Sequence, residues 1–395
     1  MGLTRPQFHR WLALSALVFA LGAVLSLTYP IEELSRRLND FYFRLRGPQP
    51  TSQQVALVLI DDASISRYGR WPWSRVLLAR LVRAASAQGP RALGLDIILS
   101  EPQEEAADRD LAEALGSAGN VVLATKIAAS PEHSVWAEPL PLFALRAAGV
   151  GHVQAVLGPD GICRSVPARE VTLGGPRWAL ALEVARVARG VVQEVPDPKR
   201  LADTAKPTSL DKVSPDFLII DYHHQITTGQ SPPPFLSVSA SDLLEGKAGE
   251  ELRGKALLVG FAATEMSDRL PTPVSDRLPM PGVEIHANLV DGLLSGRRLQ
   301  PVGWGVQTLM LLAASLVLTW VVLRWPGIKG LLVLPALLLA VYGAGYVLFA
   351  HAQRMVELGP LMCVGVLVAP AAQLENLIVV DRGLTRGLRQ LQRAL

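Results

Sequence analysis

The stretch Gln54-Val-Ala-Leu-Val-Leu-Ile-Asp61-Asp62 decides the fold of the polar middle of this chain. Val55 to Ile60 is apolar without alternation, the pattern of a strand buried on both faces, and it stops on two carboxylates. The residues downstream repeat the theme. Ser74 to Gln88 has helical periodicity and ends at Gly89-Pro90. Ala92 to Ile98 is a second buried strand, with Asp96 inside it. Asp108 to Leu115 reads as a short helix, and Asn120 to Ala124 opens a third strand. Strands alternating with helices predict a largely parallel sheet with crossover helices.

After that the pattern changes. Gly151 to Leu157 and Arg164 to Leu173, joined by Gly158-Pro-Asp-Gly161, read as a hairpin. A helix is predicted near Trp178 to Arg189, and Val192 to Pro215 reads as a surface excursion. Phe217 to Tyr222 is a strand, and Ser239 to Leu244 a short helix capped by Ser239 or Ser241. Lys255 to Phe261 is an apolar strand, and Glu284 to Leu294 a helix ending at Gly296. The expectation is one α/β domain with a mixed sheet.

The flanks are different chemistry. Only 18% of the 395 residues are charged, against about a quarter in soluble domains. The shortfall sits in four apolar stretches, 11–29, 304–323, 330–350 and 358–379, each near the roughly 20 residues a membrane-spanning helix needs. Arg5 and Arg10 precede the first stretch, Arg324 and Lys329 lie between the second and third, and Arg382, Arg386, Arg389 and Arg393 follow the fourth. With four spans every basic cluster falls on one side, so residues 1–10 and 380–395 are expected inside and residues 30–303 outside the cytoplasm. Thr28-Tyr29-Pro30 is a poor cleavage site, which favours an uncleaved anchor over a signal peptide. A net charge of +3 gives no nucleic-acid surface. Cys163 and Cys363 fall in different compartments on this topology and are expected not to pair.

Leu384, Leu388, Leu391 and Leu395 recur at coiled-coil spacing after the last span. They read either as an amphipathic helix on the inner membrane surface or as a parallel homodimer seam leading to a cytoplasmic output module beyond Leu395.

Several of these residues carry a resemblance. Val-Leu-Ile-Asp61-Asp62-Ala-Ser, Trp71-Pro72-Trp73-Ser-Arg75 and Ala-Leu-Gly-Leu-Asp96-Ile resemble the opening of a CHASE2 domain. Gly151-His152 through Asp160-Gly161 to Arg164-Ser-Val-Pro167 resembles its central segment. Leu-Leu-Val-Gly260, Ser267-Asp268-Arg269 and Met280-Pro-Gly-Val-Glu284-Ile-His286-Ala-Asn288, closing on Gly296-Arg297, resemble its end. The resemblance spans about Phe41 to Leu299, and the three apolar helices after it also match the family's usual layout. It implies an extracytoplasmic sensor of a receptor in the bacterial inner membrane. The output of such receptors is a histidine kinase, a nucleotide or diguanylate cyclase, a phosphodiesterase or a Ser/Thr kinase. Histidine kinase is the favoured expectation here and nucleotide cyclase the next.

Asp61, Asp62, Asp96 and Asp268 fall near strand ends, where open α/β sheets take ligands. If their strands are neighbours, the carboxylates converge and suit a hard cation or a cationic ligand group. The plainer role is local, with Asp62 capping a turn and Asp96 bonding backbone or Arg75. Trp71 and Trp73 wall a ligand pocket or plug the edge of a core. Glu284 and His286 are candidates for acid–base or ligand work, or members of a helix-terminus hydrogen-bond network. His223 and His224 point to opposite faces of a strand and are assigned no role.

No Gly-x-Ser-x-Gly, His-Glu-x-x-His or phosphate loop occurs, and neither catalytic residues, a metal centre nor a cofactor is assigned. The leading expectation is a homodimeric membrane sensor that detects an extracytoplasmic small molecule or protein and passes the signal inward. The alternatives are a membrane-anchored subunit docking a periplasmic protein, and a metal-dependent hydrolase on a membrane stalk.

Overall fold

The computed structural model describes residues 5–129, 134–191, 217–223, 234–247, 250–264, 268–275, 278–325 and 328–368. Two compact units share these residues. A helical unit takes the chain up to Tyr42 and again from Gln300, and an α/β unit lies between Phe43 and Leu299.

The chain opens with α1 (Arg5–Leu25) and α2 (Tyr29–Arg46). Helix α2 was assigned no element from sequence. Its exposed face is charged, with Arg36 and Arg37 pairing Glu32 and Glu33 at helical spacing. Its other face buries Ser35, Asn39 and Tyr42. The elements of the α/β unit follow in order. They are β1 (Val55–Ile60), α3 (Asp62–Tyr68), α4 (Arg75–Ala87), β2 (Ala92–Ile98), α5 (Glu105–Ala118) and β3 (Val121–Thr125). Next come β4 (Ile127–Ala129), β5 (Ser134–Trp136), α6 (Pro141–Ala144), β6 (Gly149–His152), β7 (Val156–Leu157), β8 (Cys163–Pro167), β9 (Arg169–Thr172), β10 (Gly175–Trp178) and α7 (Leu180–Ala188). The unit closes with β11 (Phe217–Ile219), β12 (Leu236–Ser239), α8 (Ala240–Leu244), β13 (Ala256–Phe261), β14 (Arg269–Leu270), β15 (Met280–Pro281) and α9 (Gly282–Ser295).

The central sheet has six strands in the order β12-β1-β13-β2-β3-β6. Every pairing in it is parallel, which corrects the mixed sheet expected from sequence. The antiparallel pairs form separate small sheets, β11-β8-β7, β9 with β10, β4 with β5, and β14 with β15. Gly151 and His152, read from sequence as the start of a hairpin, instead form the edge of the central sheet beside β3. Glycine makes this possible, because a Cβ on Gly151 would stand 2.6 Å from Leu180 Cα at the start of α7. The hairpin itself is real but shorter, pairing Val156 and Leu157 with β8.

Helices cover both faces of the sheet, as parallel sheets require. Leu78, Leu81 and Val82 of α4 and Leu111 and Leu115 of α5 pack against Leu95 and Ile97. Helices α7 and α9 cover the opposite face. Gly94 admits α7 there, since a Cβ at that position would come within 2.7 Å of Val184 Cγ2. Ser74 caps α4 and Ser239 caps α8, each through its side-chain oxygen.

The helical unit resumes with β16 (Gln300–Pro301), α10 (Trp304–Arg324), α11 (Ile328–Ala352), β17 (Arg354–Met355) and α12 (Leu358–Val368). Gln7–Leu25, Trp304–Arg324 and Val333–Ala352 are long and apolar enough to cross a membrane. Trp11 Nε1 ties α1 to α10 by donating to Leu316 O at 2.9 Å. Tyr42 of α2 is buried among Tyr342, Tyr346 and Phe349. The end of the fourth predicted span and Leu384, Leu388, Leu391 and Leu395 lie outside the described residues.

Candidate functional site

The parallel order places the carboxyl ends of β1, β13, β2, β3 and β6 along one edge of the sheet. Asp61, Asp62, Asp96 and Asp268 all belong to that edge or to its loops, as the sequence suggested, but they do different work. Asp61 Oδ1 accepts from Ser64 N (2.9 Å), Ser64 Oγ (2.7 Å) and Ser239 Oγ (2.8 Å), capping α3 and tying it to β12. Asp62 accepts from Thr264 N and Oγ1 at 3.0 and 2.9 Å, binding the loops after β1 and β13 together. Both carboxylates are committed to local structure.

Asp96 is not. It is 9% exposed, and among the described residues no hydrogen bond reaches its carboxylate. Arg75, its partner in the plainer sequence reading, instead pairs with Asp108 at 3.2 Å and donates to Glu101 O at 2.6 Å. Burial, and then the negative charge of Asp268, push the Asp96 carboxyl up to about 7. Asp268 stands at the start of α9. Its carbonyl accepts from Gly282 N at 2.8 Å, and a Cβ on Gly282 would come within 2.8 Å of its Oδ2.

Glu284 and His286 lie in the first turns of α9, 0% and 3% exposed. Burial holds the His286 imidazole down to about 4, and its Nδ1 makes no hydrogen bond among the described residues. His152, at the end of β6, stacks on Trp136 and accepts from Gln154 N through Nδ1. Burial and the nearby His286 hold it down to about 3. Both rings are therefore neutral across the physiological range. Trp73 is 2% exposed and donates to Gly69 O, while Trp71 packs edge-on against Phe261 at 4.3 Å. This pair closes the core where α4 begins. Among the described residues no group of three or more His, Cys, Asp or Glu side chains could hold a metal ion.

The sequence reading missed a second buried polar cluster. Arg46 Nη2 lies 2.6 Å from Asp221 Oδ1, with side chains 6% and 4% exposed. The same nitrogen donates to Tyr222 O at 2.8 Å, so charge proximity more than a well-directed hydrogen bond holds Asp221. Next to it, His223 Nε2 is 3.0 Å from Asp291 Oδ2, and Ser52 N donates to Asp291 at 3.1 Å. Burial pushes the Asp291 carboxyl up, but the contacts to His223 and Ser52 together outweigh it and hold the group below its usual range. Asn288 accepts from His223 N at 3.0 Å, and Gln49 N donates to His223 O at 3.1 Å. The segment after β11 is thus clamped between the last turn of α2 and helix α9. Asp221, a charge at the end of the apolar run Phe217 to Ile220, was the one signal in the sequence.

These features define a class: a doubly covered parallel α/β domain inserted between helices long enough to cross a membrane. The CHASE2 domain family matches residues 14–323, so the chain belongs to the CHASE2 family. The match extends past the α/β unit at both ends, into α1 and most of α10. CHASE2 domains are extracellular sensory domains of signalling proteins, and sensory in place of catalytic. No curated protein and no solved structure matches the chain.

Proposed function

We propose that this protein is a bacterial transmembrane receptor. Its α/β unit detects an extracytoplasmic stimulus, and the bias passes through the membrane helices to a cytoplasmic output module. Membership of a sensory family, on a chain whose sensory domain is flanked by spanning-length helices, carries this reading. Transduction would be a population shift, in which the stimulus favours one arrangement of the α/β unit and the helices inherit the difference. The chain would work as a homodimer, joined through Leu384, Leu388, Leu391 and Leu395, feeding a histidine kinase or, next in order, a nucleotide cyclase.

A perturbation inside the α/β unit tests this without knowledge of the stimulus. Gly260→Ala drives a Cβ to 2.6 Å from Val283 Cβ and must shift the first turn of α9. In membranes, cross-linking between copies carrying Leu388→Cys should change in yield when Gly260→Ala is added. An unchanged yield would leave the helices as an anchor only. No cross-link at position 388, 391 or 395 would remove the dimer seam.

A further inference from the structure

The division between the two compact units falls inside helix α2, between Tyr42 and Phe43. Nothing in the sequence of α2 invites a break there. It holds no glycine, and its one proline, Pro30, sits in the first turn, where proline is tolerated. Glu32 stands in the first turn and Arg44 and Arg46 in the last, so charge at both ends favours the helix. The pairs Glu32–Arg36 and Glu33–Arg37 support it along its exposed side. The result is one uninterrupted helix about 27 Å long.

Each part of α2 is fastened within its own unit. In the helical unit, Ser35 Oγ accepts from Gly359 N at 2.8 Å and so ties α2 to the start of α12. Glycine allows the approach, because a Cβ on Gly359 would strike the Ile31 carbonyl. Asn39 Nδ2 donates to Val356 O at 3.3 Å. Tyr42 Oη donates to Tyr342 O at 2.6 Å, and Tyr342 Oη donates to Leu38 O at 3.2 Å, a reciprocal pair with α11. A Cβ on Gly345 would stand 2.5 Å from Tyr42 Oη. Residues 31, 35, 38, 39 and 42 form one helical stripe. In the α/β unit, Phe43 packs edge-on against Tyr222, ring centroids 6.1 Å apart. Arg46 Nη2 reaches Asp221 Oδ1 at 2.6 Å and Tyr222 O at 2.8 Å. The next residue, His223, donates from its backbone N to Asn288 on α9 at 3.0 Å.

The other connection among the described residues is 297–299. Gly296 ends α9 in the left-handed conformation, these three residues are not helical, and β16 begins at Gln300. Backbone rotations there can absorb a displacement of α9. A helix with its hydrogen-bond ladder intact moves as a body. We propose that α2 is the transmission strut of this protein. A displacement of Asp221–His223 is carried by the last turn of α2 to Tyr42, Asn39 and Ser35, and from them to the second half of α11 and the start of α12. This rests on the receptor reading above and names the element that carries its signal.

The test uses the full chain in lipid nanodiscs and hydrogen exchange read at Val356–Gly359. Ser35→Ala should speed exchange of the Gly359 amide about tenfold, the factor for one ordinary hydrogen bond. No change would remove the grip on α12 and overturn the proposal. Arg46→Met, in the other unit, should speed the same amide severalfold. Asp221→Asn, which keeps the volume and removes the charge, repeats this arm with a milder change. A Gly359 amide that ignores both overturns the strut. The joint is then probed at Phe41 and Arg44, both exposed. Phe41→Gly with Arg44→Gly is compared with Phe41→Ala with Arg44→Ala. The two pairs remove the same side chains, but each glycine weakens the helix roughly fivefold relative to alanine. The ratio of Gly359 rates with and without Arg46→Met should persist in the alanine pair and fall to one in the glycine pair. A ratio kept in both pairs, or lost in both, overturns the strut. A last arm follows the Leu388→Cys cross-link. If its yield answers Gly260→Ala equally in both pairs, the strut fails and the receptor stands. If the yield ignores Gly260→Ala in the parent while Gly359 answers Arg46→Met, the strut stands and the receptor reading fails.

Discussion

The buried pair Arg46–Asp221 is predicted to behave as one unit. Asp221→Leu alone removes the carboxylate 2.6 Å from the Arg46 guanidinium, which is 6% exposed. Its hydrogen bond to Tyr222 O persists and softens the loss, so the cost should fall near the lower end of the about 3–5 kcal/mol expected for breaking a buried pair. Arg46→Met alone strands Asp221, 4% exposed, at a similar cost. The double variant buries two apolar side chains of comparable volume and should cost far less than the sum, about 1 kcal/mol or less. Cys163 supplies the assay. It is fully buried, and its carbonyl accepts from Tyr222 Oη at 3.0 Å, beside the pair. Thiol labelling of Cys163 in the intact chain, read by peptide mass so that Cys363 does not interfere, measures how often this region opens. A loss of about 3 kcal/mol should speed labelling roughly 100-fold in each single variant. The double variant should return to within about tenfold of the parent. Additive effects in the double would refute the coupling, and single variants indistinguishable from the parent would refute the burial argument itself.

The same assay reports pH dependence. Asp96 has its folded-state carboxyl raised to about 7, so its stabilising contribution is present in acid and is lost as pH rises through that value. At about 1.36 kcal/mol per unit, the parent should lose about 2 kcal/mol relative to Asp96→Asn between pH 5.5 and pH 8. Comparing the two chains at each pH cancels the intrinsic reactivity of the thiol. Asp291 acts in the opposite sense. Its carboxyl is held low, so its contribution is present above the ordinary carboxylate range and fades as pH falls below it, and Asp291→Asn should flatten the acid limb of an unfolding curve. Gly151→Ala should destabilise the α/β unit by about 1–3 kcal/mol or more, because the added methyl meets the backbone of Leu180; normal Cys163 protection in that variant would count against the close approach. Leu388→Asp should abolish output in a receptor carrying its cytoplasmic module, and full signalling would reject the seam.

Much of the fold was legible because burial on both faces writes itself as unbroken apolar runs. Val55–Ile60, Ala92–Ile98 and Ala256–Phe261 are such runs, and they became the three central strands. Strand β12 was missed because Leu236–Ser239 is short and half polar at the sheet's edge. Helix α2 was missed because its charged face hides the spacing of Ser35, Asn39 and Tyr42. The hairpin reading of Gly151 failed because glycine there signals a helix passing close overhead, which a local pattern cannot distinguish from a turn. Among the site residues, strand ends identified the four aspartates, but not which were committed to caps. That depends on Ser64, Ser239 and Thr264, which come from distant parts of the chain. The Arg46–Asp221 and His223–Asp291 contacts join residues far apart in sequence, so pairing could not be read locally.

The central claim is that the α/β unit faces the outside of the cytoplasmic membrane, for every signal proposed here must arrive there. Leu145, 84% exposed, is a neutral place for a reporter. A chain carrying Leu145→Cys, expressed in bacterial membranes, should react with a membrane-impermeant maleimide once the outer envelope is opened and the inner membrane left intact. Labelling that appears only after the inner membrane is broken would place the unit inside and contradict the account.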